Sequence, residues 1–276
     1  MIKNNKLALI SFSLLSINSP TFAGGIENGY MNEYMVVFVS QEDPDQSPWK
    51  ENPQCNAVIK PLSKGIYENQ YTFENGNPLT SVFLSKTKIK KDDCETLINF
   101  PDDIQGTGVF ESFYPNGKTR SRIEYQDGQY EGKLQFWFPN GLKQQENQIS
   151  HGAAEGDYKI WHPNGQIAMS TKYKQDIPTG MRQRWYASGQ PWTYVRFDHG
   201  RMVGELKQWF QNGKLERLGN YKNGVREGSY KTWYENGKPE AELNYKQGQI
   251  ISAQCWNTSG ALKTEKSCIA SFKDEQ

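Results

Sequence analysis

The sequence predicts an all-β protein: an elongated single-layer antiparallel sheet of stacked β-hairpin repeats with a small β-rich N-terminal cap domain. Three observations carry that expectation. Aromatic residues make up 13% of the chain, and 25 glycines punctuate it. Turn glycines recur at Gly117, Gly141, Gly165, Gly189, Gly213 and Gly237, each step being 24 residues. Other columns keep the same step: Gly108, Gly132, Gly156, Gly180, Gly204 and Gly228 open each unit, and Phe113, Trp137, Trp161, Trp185, Trp209 and Trp233 mark its middle. A fixed period of this length is the signature of a repeat architecture.

Residues 1–23 read as a secretory signal. Lys3 and Lys6 precede an apolar run from Leu7 to Ile17, and small or uncharged residues lead to a cleavage point after Ala23. The run of about 11 residues is shorter than the roughly 20 needed to span a bilayer. The first cysteine is Cys55, so no cysteine for lipid attachment follows the cleavage point. The expected location is periplasmic or secreted. Without Lys3 and Lys6 the chain has 30 basic and 31 acidic residues, a balance with no general attraction for nucleic acid or anionic lipid.

Residues 24–105 do not keep the period and read as the cap domain. "EYMVVFVS" at 33–40 and "GIYENQYTF" at 65–73 are predicted strands, and the Pro- and acid-rich stretch after the first is a loop. The domain is expected to cover the first edge of the sheet, since bare edges invite aggregation.

Residues 106–251 hold six units, each of two short strands. Counted from its opening glycine, each unit is interrupted by four glycines or prolines, and tyrosine, tryptophan and phenylalanine dominate the rest, which disfavours helix. The Asn-Gly pairs predict two-residue type I′ hairpin turns. A second glycine-bearing turn, as in "YKNGVREG", leads into the next unit. Single hairpins are marginal in water, so stability must come from stacking. Two strands per unit advance the sheet by about 10 Å. A two-residue turn at 188 and 189 sets Trp185 opposite Trp192 and Gln183 opposite Tyr194 on one face. The other face, with Leu134, Phe136, Phe138, Tyr158, Ile160, Leu206, Phe210 and Tyr230, is the predicted packed side.

Residues 252–276 read as a degenerate seventh unit and C-terminal cap, with Trp256 and the Ser259-Gly260 turn. The four cysteines fit an oxidising compartment and allow three pairings. Nearness in sequence favours Cys55 with Cys94 and Cys255 with Cys268. Neither pair has the close spacing of a zinc or redox site, so structural staples are expected and no metal or cofactor.

The frame Y-x-x-G-x-x-x-G-x-x-x-x-W-[YFH]-x-N-G appears as "YQDGQYEGKLQFWFPNG" from Tyr125 to Gly141 and as "YKNGVREGSYKTWYENG" from Tyr221 to Gly237. It resembles the MORN-repeat family, and most closely its bacterial variant, often labelled as antitoxin. The resemblance covers about residues 106–251. For the bacterial proteins it implies neutralisation of a toxin or secreted effector, and for eukaryotic ones contact with lipid or protein near membranes. Repeat surfaces of this kind serve unrelated functions, so the fold alone does not choose among them.

Catalytic readings find little support. The chain has three histidines, and none sits in a G-x-S-x-G frame. His151 and His199 occupy one turn slot of two units. His162, in "KIWHPNG", shares a column with Tyr114, Phe138, Tyr186, Phe210 and Tyr234 and reads as a substituted aromatic brace. The pairs Asp92-Asp93 and Asp102-Asp103 lack EF-hand spacing and are expected to solvate loops. The chain is therefore expected to be a non-enzymatic exported protein-binding repeat protein. Its most concrete form is an immunity or antitoxin-type protein that neutralises a toxic effector in the bacterial envelope. The alternative is an envelope scaffold that contacts membrane lipid head groups or assembles with itself. Candidate partner-binding residues are Trp161, Trp185, Trp192, Tyr194, Arg196 and Trp209, because tryptophan, tyrosine and arginine carry much of interface energy. The competing reading of the tryptophan column is packing over neighbouring hairpins.

Overall fold

The structure, a computed structural model, describes residues 55–89, 101 and 103–273. The expected signal segment, the strand at 33–40, Cys94, Asp92, Asp93 and Asp102 lie outside the described residues. Three strands form a first sheet: β1 (Cys55–Pro61), β2 (Tyr67–Phe73) and β3 (Phe83–Ser85). Thirteen more form a second, antiparallel sheet in simple sequence order. They are β4 (Gly108–Phe113), β5 (Thr119–Gln126), β6 (Gln129–Trp137), β7 (Lys143–Ser150), β8 (Ala153–Trp161), β9 (Ile167–Lys174) and β10 (Ile177–Trp185), followed by β11 (Pro191–Asp198), β12 (Arg201–Trp209), β13 (Leu215–Lys222), β14 (Val225–Trp233), β15 (Pro239–Lys246) and β16 (Gln249–Cys255). A helix, α1 (Glu265–Lys273), follows. The first and last strands of the second sheet are not neighbours, so the sheet does not close into a barrel. The described residues divide into two compact units, one ending at Ala154 and the other starting at Glu155.

In the first unit the small sheet supplies partners to the edge of β4. The Ser81 N–H donates to the Glu111 carbonyl at 2.8 Å, and the Phe113 N–H donates to the Leu79 carbonyl at 2.9 Å. The Ser81 hydroxyl accepts the Glu111 N–H at 3.0 Å. Under this seam Phe83, Ile104, Phe110, Ile123 and Tyr125 are buried together, and Phe83 meets Phe110 edge-on at 5.3 Å. Cys55 is buried beside Tyr71, Phe73 and Leu79.

In the second unit the core runs along one face of β11 to β16 through Val195, Phe197, Leu206, Tyr230, Leu243 and Tyr245. Phe272 and Cys268 of α1 enter it, and Cys268 bonds to Cys255 with Cα atoms 5.4 Å apart. Tyr158, Leu206 and Tyr230 of the predicted packed face are buried, while Ile160 and Phe210 are half-buried.

The first turn of each unit is not the expected type I′ turn. There the Gly165 N–H donates to the His162 carbonyl at 2.8 Å and the His162 N–H donates to the Gln166 carbonyl at 2.8 Å. This is a three-residue loop: a type I turn closed by a glycine bulge. A type I′ turn needs positive φ at both central residues, and here only the glycine has it, at 85° for Gly165. Proline favours the first central position of a type I turn, and Pro163 stands there. The type I′ geometry occurs at the second turn. Asn223 and Gly224 have φ of 53° and 88°, and they are flanked by the pair Lys222 and Val225.

The bulge changes the register next to each first turn. Gln183 faces Tyr194 and Arg184 faces Thr193, but Trp185 faces Pro191 instead of Trp192. The opening glycines have a structural task as well. Gly132, Gly156, Gly180, Gly204 and Gly228 all have positive φ inside a strand. Around Gly180 the pairing with β9 moves from Thr179 with Lys172 to Gln183 with Ser170. Such an interruption bends the strand and increases its twist.

Two substitutions test this account. At one second turn the glycine is replaced, and Gln175 and Asp176 both hold positive φ, at 50° and 64°. Asp176→Gly removes the side-chain penalty of that backbone region and is expected to raise stability by about 0.5–1 kcal/mol, read from the urea midpoint. Gly219 lies under the ring of Tyr230, where an added Cβ would sit 2.2 Å from a ring carbon. Gly219→Ala is expected to lower stability by about 1–3 kcal/mol.

Candidate binding surface

The tryptophans hold one register position in successive hairpins. Trp161 faces Ile167, Trp185 faces Pro191, Trp209 faces Leu215 and Trp233 faces Pro239. All four are half-buried on the face opposite the core. In the middle of the second unit they are linked by Tyr194. Its ring meets Trp185 at 6.3 Å and Trp209 at 5.1 Å, both edge-on, in the arrangement aromatic pairs prefer. Gln183 and Lys207 flank Tyr194 across its two strand pairings, so polar groups border the aromatic line. Arg196 is exposed two residues further along the strand, opposite Met181, which is 47% exposed.

Trp192 does not join this line. It is the residue displaced by the bulge, and its ring packs on Tyr186 at 5.7 Å with the Arg184 guanidinium 5.5 Å above it. The pairing of Trp185 with Trp192 expected from an even register is therefore lost. Trp185, Tyr194 and Trp209 stay in ring contact, Arg196 lies two residues beyond Tyr194 along the strand, Trp161 stands at the same register position one hairpin earlier, and Trp192 braces the turn.

The column holding His162 does more than pack. Tyr114, Tyr186 and Tyr234 donate their hydroxyls to the carbonyls of Trp137, Trp209 and Trp256, each at 2.7 Å. His162 Nε2 lies 2.8 Å from the Trp185 carbonyl. A carbonyl can only accept, so this nitrogen carries the proton, and the imidazole takes the part of a tyrosine hydroxyl. Protonation of the other ring nitrogen leaves that donor in place. Burial, followed by the charges of Glu216 and Glu235, pushes the Tyr186 hydroxyl up to about 12, so it stays protonated and donates throughout the neutral range. Sequence reasoning placed the column but missed its polar tips. The alternation of tyrosine and histidine with phenylalanine was the available signal.

Two more series link successive units. The carboxylate before an opening glycine receives the N–H of the next second turn: Glu131 from His151 at 2.6 Å, Glu155 from Gln175 at 3.0 Å and Glu227 from Gln247 at 2.7 Å. The turn asparagines reach forward as well. The amides of Asn116, Asn164 and Asn212 donate to the carbonyls of Pro139, Ala187 and Glu235 at 3.1, 2.7 and 3.1 Å. In each case the asparagine oxygen accepts the N–H two residues on, for example Gln166 to Asn164 at 3.0 Å, which closes its own turn.

The other polar candidates have structural placements. His151 and His199 are the first residues of type I′ turns, with φ of 51° and 46°, and His199 Nδ1 lies 2.9 Å from Asp198. The Asp103 carboxylate accepts the Thr87 N–H at 2.7 Å. Among the described residues no group of three or more histidines, cysteines or carboxylates is placed to hold a metal ion, and no helix is long and apolar enough to cross a membrane.

A family model described as the MORN repeat variant matches residues 107–127, 154–175, 202–223 and 226–247. The chain carries MORN-variant repeats. Each matched segment spans both strands of a hairpin and ends on the first residue of a type I′ turn. No curated protein matches the chain. MORN repeats of this kind are associated with protein binding or membrane association.

The MORN turn staples give two expectations. The His151 N–H, then the Ser150 hydroxyl, hold the Glu131 carboxyl below the usual carboxylate range. A depressed folded value adds stability above the unfolded value of about 4.3, and that part is lost as pH falls through the folded value. Urea midpoints measured from neutral to acid pH should therefore fall less steeply for Glu131→Gln than for the unmodified chain. His162→Phe removes one donor from a half-buried carbonyl and is expected to cost about 0.5–1.5 kcal/mol at neutral pH.

Proposed function

We propose that this is a non-enzymatic exported protein of the immunity or antitoxin type, which neutralises a toxic effector in the bacterial envelope by covering it. One observation carries the reading: the half-buried line Trp185, Tyr194 and Trp209, ringed by polar and charged side chains on a face that the chain's own core does not use. Aromatic anchors held rigid before contact lose little side-chain entropy on binding, which is what an interface hot spot requires. The Cys255–Cys268 disulfide supports an oxidising compartment, and the leader-like residues 1–23 agree with export. Inhibition of this kind is steric and needs no group of its own to react. Arg196 supplies a charged contact at the border of the line.

Recovery of a co-expressed toxic neighbour in stoichiometric complex with residues 24–276, with loss of its toxicity, tests the reading. Failure of every neighbouring gene product to bind would sink it. Tyr194→Ala and Trp209→Ala are expected to weaken such a complex by tenfold or more while leaving the strand content by circular dichroism unchanged. Trp192→Ala, on the turn side, is expected to weaken it less.

A further inference from the structure

The last strand of the large sheet ends differently from the first. The cap supplies partners to β4, as described above. On the outer side of β16, among the described residues, one backbone hydrogen bond is made, from the Lys263 N–H to the Cys255 carbonyl at 2.8 Å. The bridge between Trp256 and Leu262 belongs to the same corner. Helix α1 is joined to the core face through Cys268 and Phe272, so it does not serve as a strand partner.

The open stretch, "QIISAQ" from Gln249 to Gln254, has no charge and no proline. Natural edges are guarded by charged side chains, prolines, bulges or covering segments, and of the first three this stretch has only a bulge. A register shift between Asn244 and Tyr245 leaves Ile251 as an extra residue, and this bulge turns the isoleucine outward, 59% exposed. Its counterparts one or more units back are Glu227, Glu155 and Glu131, whose carboxylates receive the next turn. After β16 the chain turns the corner at Trp256 and Leu262 and enters α1, so among the described residues no second turn stands there to be stapled. At the position where a solvated end would keep a polar residue, the chain has an exposed isoleucine.

We infer that β16 pairs antiparallel with β16 of a second copy of this chain, making a two-fold dimer in which one sheet continues into the other. A strand with no charge meets itself without like-charge repulsion, and a two-fold axis makes one patch serve both copies. With the axis at Ile251, Gln249 faces Ala253 of the other copy and the two Ile251 side chains stand together. Pairing of this length stops short of Cys255, whose carbonyl is already used. The inference does not depend on the identity of any effector, because it uses the edge of the sheet and leaves the aromatic face free.

The test is the mass in solution of residues 24–276, by light scattering on a sizing column. The expected result is twice the chain mass for the unmodified protein, the single mass for Ile251→Lys and for Ile251→Glu separately, and the double mass again when these two variants are mixed. Unchanged circular dichroism, with Ser252→Lys as a second edge variant, separates lost pairing from lost folding. A single mass for the unmodified protein overturns the inference. So does a double mass that survives in both Ile251 variants, or a mixture that stays at the single mass.

Discussion

The arrangement depends on where the backbone is forced into positive φ. Every 24 residues the chain reverses twice, once through a type I turn with a glycine bulge and once through a type I′ turn. A third left-handed glycine bends the strand between them. These positions set the register, and the register decides which side chains meet. The tryptophan column lies beside the bulged turn, so its cross-strand partners are Pro191 and Leu215 in place of the residues an even ladder would supply. Side chains then stabilise a path that the backbone already prescribes.

The contacts that hold the hairpins are of two kinds. On the core face, apolar and aromatic groups bury one another, with Arg182 over the ring of Phe197 at 4.3 Å and Arg226 over Tyr230 at 4.6 Å. The Arg226 guanidinium also donates to the Tyr245 hydroxyl at 2.9 Å, so its burial is compensated by hydrogen bonding as well as by ring contact. At the two rims, polar groups do the linking: aromatic tips and asparagine amides on one, glutamates on the other. A single-layer sheet lacks a second layer to close against, and these rim contacts align each hairpin with the next.

The period, the hairpins and the half-buried tryptophans were legible in the sequence because glycine and aromatic columns repeat in phase. The turn types were not, because Asn-Gly suits both a type I′ turn and the end of a type I turn. Pro115, Pro139 and Pro163 ahead of the pair were the residues that discriminate, since proline belongs in the first central position of type I. From that one difference came the misplacement of Trp192, while Trp185 and Tyr194 kept a common face. The Glu131, Glu155 and Glu227 series was visible as a repeated Glu-Gly pair. Its role depends on which N–H the next turn exposes, and local pattern does not carry that information.

The tyrosine and histidine tips of the brace column bond to a main-chain carbonyl of the following hairpin, not to any side chain there. An acceptor of that kind is the same whatever residue stands at the position. A copied hairpin inserted anywhere in the row would meet a ready partner on the side it reaches toward, and would offer one on the other. The row can therefore lengthen or shorten by whole units without renegotiating its joints, while the outward-facing residues of each unit stay free to diverge toward whatever they touch.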